Sequence, residues 1–297
     1  GTAAIVTGAV GSGTEILDAT FVSDDITIGG AIVVSGTLNL YTQTAATQID
    51  LGYAGGNYEI DDTEASRLQG ATTVNFGEDG VQTGHIVIDT FDLSALGAAT
   101  IYFNTSSGGE IRFATGGAAD PGPTTLQSDG GTFDFTNSPA IVLLGDTYID
   151  TESGGGTAAG DVTLAVAGTG DIDSDTGFNY SFDIDASTGD ANNAGSVVIN
   201  NAGVNQALNQ LAVATASGSG TDGTVTIHGD VVTVGSIAID PGASTLYLSG
   251  IYDTTDASWD LSTAAVELTA DTRILTGTGK LTVGTLALAT ALAGALY

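Results

Sequence analysis

Thr233-Val234-Gly235-Ser236-Ile237-Ala238-Ile239 returns 49 residues later as Thr282-Val283-Gly284-Thr285-Leu286-Ala287-Leu288. The two runs match in kind at every position: small hydroxyl, Val, Gly, small hydroxyl, branched aliphatic, Ala, branched aliphatic. A shorter unit recurs around them. Gly160-Asp161-Val162-Thr163-Leu164 reappears as Gly223-Thr224-Val225-Thr226-Ile227 and as Gly279-Lys280-Leu281-Thr282-Val283. Each copy is a glycine turn feeding a short run in which apolar and small polar residues alternate. Alternation of period two bounded by Gly and Asp is a strand signature, and recurrence over tens of residues points to stacked similar units. The paired runs 233–239 and 282–288 are therefore expected at equivalent places in the core, with Ile237, Ile239, Leu286 and Leu288 pointing inward.

The same rhythm extends outward. Ile26-Thr27-Ile28, Leu38-Asn39-Leu40, Ile86-Val87-Ile88 and Ile101-Tyr102-Phe103 are β-rich runs punctuated by glycine. Phe133-Asp134-Phe135, Ile141-Val142-Leu143, Val197-Val198-Ile199 and Leu246-Tyr247-Leu248 continue them. Asp61 to Leu68 reads as one or two helical turns. Gly116 to Gly131, with Pro121 and Pro123, reads as a loop or linker. It divides a β-rich part, 1–115, from a strand-repeat part, 132–297, unless one solenoid runs through 1–297. Two all-β architectures accommodate many short strands and Gly-rich turns. One is a right-handed parallel β-helix, or β-solenoid. The alternative is a tandem array of β-sandwich modules, whose usual Cys pair is missing and whose usual Trp is represented only by Trp259.

Composition narrows the function classes. Glycine occurs 44 times in 297 residues, about twice the usual ~7% share. Four basic residues face 35 acidic ones, giving a net charge of −31. That balance excludes nucleic acid, whose binding needs Lys and Arg to displace counterions, and disfavours anionic membrane surfaces. It favours solubility, divalent cations or a high-salt habitat. The absence of Cys removes disulfides, thiolate metal sites and thiol catalysis. No run approaches the ~20 apolar residues of a transmembrane helix. The first residue is Gly1, which points to a processed chain or a piece of a longer one.

The segment from Pro139 to Asp190 brings these features together. It runs Ile-Val-Leu-Leu-Gly-Asp-Thr-Tyr-Ile-Asp-Thr, Gly-Gly-Gly, Gly-Asp-Val-Thr-Leu, Gly-Thr-Gly-Asp-Ile-Asp and Phe-Asp-Ile-Asp-Ala-Ser-Thr-Gly-Asp. It resembles the strand-repeat regions of large bacterial surface proteins of the filamentous-haemagglutinin and autotransporter-adhesin type. The likeness covers about residues 130–290. It implies a right-handed parallel β-helix and a secreted, elongated, non-enzymatic shaft for adhesion at the cell surface. It implies no catalytic residues.

Several residues are candidates for chemistry. Asp171, Asp173 and Asp175 are expected on one strand face, where Ca²⁺ would relieve the repulsion of their carboxylates. Asp183, Asp185 and Asp190 lie close enough in sequence to join them. Thr176 and Phe182 depart from the EF-hand pattern, so that motif is excluded. Asp61, Asp62 and Glu64 form a weaker candidate. Gly277-Thr278-Gly279-Lys280 resembles the end of a phosphate loop, but Ile274 and Leu281 break the motif, leaving a turn before a strand. His85 and His228 are expected as strand surface residues. Asn104-Thr105-Ser106 and Asn179-Tyr180-Ser181 match the glycosylation acceptor pattern. The chain opens on a β-prone run, Ala3 to Val6, and closes on an uncharged one, Leu286 to Tyr297. Ile5, Val6, Leu292, Leu296 and Tyr297 are expected to pack against another copy in a homopolymer.

The expected function is a non-enzymatic extracellular structural protein, an adhesin shaft or a filament subunit, with itself as partner and surface carbohydrate as a further one. The alternatives are a Ca²⁺-dependent surface-layer or sheath protein and a carbohydrate-active β-helix enzyme.

Overall fold

A computed structural model describes residues 4–11, 16–53, 58–114, 123–164 and 171–288. The chain climbs in coils. The first holds β1 (Ala4–Thr7) and β2 (Ala19–Val22), and the second β3 (Asp25–Ile28), β4 (Ile32–Val33) and β5 (Thr37–Tyr41). Next come β6 (Ile49–Leu51), β7 (Tyr58–Ile60), a one-turn helix α1 (Asp62–Ala65), β8 (Leu68–Gln69) and β9 (Thr73–Phe76). From there each coil gives three strands: β10 (Ile86–Ile88), β11 (Phe91–Asp92) and β12 (Thr100–Phe103); then β13 (Ile111–Phe113), β14 (Thr124–Gln127) and β15 (Thr132–Asp134). The pattern continues with β16 (Ile141–Leu143), β17 (Thr147–Asp150) and β18 (Val162–Leu164), and with β19 (Asp171–Ser174), β20 (Ser181–Asp185) and β21 (Val197–Ile199). β22 (Asn201–Ala202), β23 (Gln210–Ala214) and β24 (Val225–Ile227) follow. The last strands are β25 (Val231–Val232), β26 (Ile237–Asp240), β27 (Thr245–Asp253), β28 (Trp259–Leu275) and β29 (Leu281–Leu288).

Every pairing between these strands is parallel. The fold is a parallel β-solenoid. Sandwich modules, which are built of antiparallel sheets, are excluded. Three faces result. β10, β13, β16, β19, β22 and β25 form the first, β11, β14, β17, β20, β23 and β26 the second, and β2, β5, β9, β12, β15, β18, β21 and β24 the third. β27 and β28 turn the corner between the third and first faces without breaking, with a bulge between Leu248 and Gly250. They join these two faces into one 19-stranded hydrogen-bonded sheet.

Period-two alternation sends every second side chain inward. On the third face Ala19, Leu38, Val74, Ile101, Phe133, Val162, Val197, Val225, Leu246, Val266 and Leu286 stand in register as one column. All but the first and last are buried, and each such aliphatic contributes roughly 1.5–3 kcal/mol. Phe103 stacks between Phe76 and Phe135, with centroids 5.6 and 4.8 Å away. Outside the core, Asn39, Asn75, Asn104 and Asn137 form a ladder. Each amide nitrogen donates to the oxygen of the preceding Asn, at 2.9, 3.4 and 3.0 Å.

Three expectations change. The stretch 116–131 is not all loop. Thr124–Gln127 is a strand in register with Thr147–Asp150, because Thr124 and Leu126 turn inward as the preceding coils require. Residues 115–122 lie outside the described residues, and the pairings β12–β15 and β13–β16 join the chain before and after the stretch. The runs 233–239 and 282–288 are not equivalent. Ile237 and Ile239 are buried on the second face, whereas Leu286 and Leu288 are 43% and 55% exposed at the end of the third. Leu286 and Leu288 continue the inward columns of Val266 and Leu268 and are exposed as the last described rung, while the difference in face comes from coil length. The last coils take roughly 22 residues against roughly 30 in the middle, so the interval between the runs is not a whole number of coils. Of the shorter unit, Val162 and Val225 do share one column, but Leu281 does not.

Candidate functional site

The strands distribute the aspartates over two faces. Asp171 and Asp173 project from the same side of β19 on the first face, two residues apart as alternation requires. Asp175 lies past the strand end, and its carboxylate accepts from the Thr176 N–H at 2.8 Å. Asp183 and Asp185 project from β20, on the second face. The five are therefore not brought together, because the chain turns a corner between Ser174 and Ser181. Among the described residues no three His, Cys, Asp or Glu side chains are arranged to hold a metal ion.

Amide donors sit where a cation was expected. Asn205 Nδ2 donates to Asp171 at 2.7 Å and to Asp173 at 2.8 Å. The backbone N–H groups of Asn205 and Gln206 donate to the other Asp173 oxygen at 3.0 and 3.1 Å. Asn205, one coil on, supplies neutral donors that a search for acidic spacing does not register. Burial raises the Asp171 carboxyl above its usual range. Asp173 and Asp175 also line a polar groove of about 410 Å³ over Val142 and Leu144, whose far wall is Glu110 and Arg112. Arg112 forks onto one Glu110 oxygen, from Nε at 3.0 Å and Nη2 at 2.8 Å.

The second face carries an open trough of about 400 Å³. Its floor is made by the outward side chains Ala212, Ala214 and Ala238, and its rim by Tyr148, Asp183, Asp185, Asp240 and Asp260. Tyr148 Oη donates to Asp185 Oδ2 at 3.1 Å. Parallel register sets Asp150 beside Asp185 on adjacent strands. Burial, and then Asp185, raises the Asp150 carboxyl; burial, and then Asp146, raises Asp183; burial, and then Asp185, pushes up the Tyr148 phenol. The rim offers acceptors to hydroxyl or ammonium groups, and the alanine floor offers an apolar platform.

The remaining candidates have structural duties. Asp61 and Glu64 form a capping box on α1, and Glu64 Oε1 also accepts from the Ile28 N–H at 2.7 Å. His85 Nδ1 accepts from the Glu110 N–H at 3.2 Å, and burial lowers its pKa. His228 is exposed just past β24. Gly277 to Lys280 is a turn before β29, tied by the Thr278 N–H to Asp256 at 2.9 Å. Asn104 is buried in the asparagine ladder, which removes it as a glycosylation acceptor, while Asn179 is exposed.

Both ends of the stack leave core positions uncovered. β29 pairs only with β28, β1 only with β3 and β2 only with β5 among the described residues. Leu281, Val283, Leu286 and Leu288 are exposed at one end. Ile5, Val10, Ala19 and Phe21 are only partly buried at the other. Of the residues expected to mediate assembly, Ile5 lies on this end of the core. The Val6 side chain and Leu292, Leu296 and Tyr297 lie outside the described residues.

No protein-family model, no curated protein and no solved structure matches this chain. No helix among the described residues is long and apolar enough to cross a membrane.

Proposed function

We propose that the chain is a non-enzymatic structural protein, a shaft segment or filament subunit at a microbial cell surface, and that copies of it associate through their ends. The observation that carries this reading is the third-face column from Ala19 to Leu286, buried throughout except at its first and last members. A solenoid built this way gains length without changing its cross-section, and its last described strand leaves Leu286 and Leu288 exposed. The strand-repeat resemblance and the charge of −31, which suits a soluble surface-exposed shaft, support the same reading. Light scattering over a concentration series tests it. The intact chain is expected to grow in mass with concentration, and removal of residues 286–297 to give monomers. An intact chain that stays monomeric at high concentration contradicts it.

The trough on the second face favours a second reading, a carbohydrate-active β-helix. Carboxylates in a groove are the groups such an enzyme needs. Incubation with neutral polysaccharides should then release reducing ends, and Asp185→Asn should abolish the release. No release from any substrate removes this reading.

A further inference from the structure

The two ends of the solenoid differ in charge as well as in position. The last rung, from Thr269 to Leu288, contains Arg273 and Lys280 against a single acid, Asp271, in a chain that has only four basic residues. The first coils contain Asp18, Asp24 and Asp25, and no Lys or Arg occurs before Arg67. The apolar positions also match in register. On the third face, Leu286 and Leu288 extend the columns that begin at Ala19 and Phe21. On the first face, Ile274 follows Tyr252, and Ile5 precedes Ile26.

We infer that the partner at the face of β28 and β29 left unpaired among the described residues is a second copy of this chain, seated by its first coil and held in register by Arg273 against Asp25 of the next copy. The inference rests on the structural reading above and names the contact that reading leaves open. Continuing the observed parallel register by one rung places Ile5 of the next copy over Ile274, and Ala19 and Phe21 over Leu286 and Leu288. Ala4 then follows Arg273, and Ala4 pairs with Asp25. Arg273 and Asp25 of the next copy therefore stand two rungs apart, about 10 Å between Cα atoms, a span that an extended arginine and an aspartate bridge. Both side chains point outward, Arg273 exposed and Asp25 half-buried. All strands run parallel, so the contact is head-to-tail and does not close on itself. Such a contact generates a filament.

Opposite charge at the two ends gives the association a sign and a salt dependence. The test is sedimentation of the intact chain, wild type and charge variants, at about 50 mM and about 500 mM salt, where screening differs several-fold in range. Wild type is expected to assemble; because each copy carries −31, salt also screens the overall repulsion, so the pair is read as the gap between wild type and Arg273→Glu, which narrows at high salt. Arg273→Glu alone and Asp25→Arg alone should each weaken assembly about tenfold or more, and the double variant should recover it. Circular dichroism confirms that each variant keeps its strand content. If Arg273→Glu assembles like wild type while Leu286→Asp does not, the charge pairing is wrong and end-to-end stacking stands. If wild type remains monomeric at both salts, this inference and the structural reading fall together.

Discussion

Gly195 stands directly over Gly160: a Cβ on Gly195 would overlap the carbonyl oxygen of Gly160. The same contact repeats from Gly160 to Gly131 and from Gly223 to Gly195. These four glycines form a corner column in which one backbone packs on the next, and Gly160, Gly195 and Gly223 leave no room for a methyl group. Overpacking of this kind costs about 1–3 kcal/mol, so Gly195→Ala should lower the melting temperature clearly. Gly189 is the control. No atom lies within 4 Å of the place its Cβ would take, so Gly189→Ala should be neutral or slightly stabilising. Equal melting of the two variants would contradict the corner column.

The asparagine ladder makes a second prediction. Asn104 is 2% exposed and its amide bonds Asn75, Asn137 and the Gly77 carbonyl. Asn104→Leu strands polar groups on both neighbours, at a cost of about 1–3 kcal/mol. Thermal unfolding checks it, and an unchanged midpoint would show that the ladder contributes nothing.

Calcium has a competing account in Asn205. Its amide already bridges Asp171 and Asp173. Asn205→Ala is expected to cost about 1 kcal/mol, while excess chelator leaves the wild-type melting curve in place. A fall in melting temperature on chelation, reversed by Ca²⁺, would restore the cation at these aspartates.

The pH dependence follows from the carboxyls raised by burial, Asp50, Asp150, Asp171, Asp183 and Glu64. A raised folded pKa means that the native state binds more protons than the unfolded chain. Their contribution is full below the ordinary value of about 4 and is lost as pH rises through the folded value. Asp24 opposes them. The Thr44 hydroxyl and N–H, each at 2.6 Å, lower its pKa. Its contribution is present above the ordinary value and is lost as pH falls through the lowered one. Melting temperature should therefore rise as pH falls from neutrality toward the ordinary carboxyl value of about 4 and drop only in stronger acid, with Asp24→Asn blunting the acid drop. A monotonic loss of stability from neutrality downward would contradict this.

The fold was legible in the sequence because a solenoid writes itself in period-two alternation. Val162-Thr163-Leu164 and Val225-Thr226-Ile227 carry the same alternation and share a column. The match between 233–239 and 282–288 misled, because similarity in kind does not fix phase when coil length changes. Thr124–Gln127 was obscured by the glycines and prolines around it, although Thr124 and Leu126 carry the inward pattern. The aspartates were legible as acids but not as neighbours. Spacing alone does not show that a corner separates Asp173 from Asp183, nor that Asn205 arrives from the next coil. The trough floor depends on Ala212, Ala214 and Ala238 meeting across adjacent strands, and no local motif announces that.

Fibre diffraction and electron micrographs of the concentrated, intact protein test the central claim most directly. The account predicts unbranched filaments one solenoid wide, with the strand-spacing reflection near 4.7–4.9 Å lying along the filament axis. Discrete, monodisperse particles at every concentration, or filaments whose strands run along the axis, would contradict it.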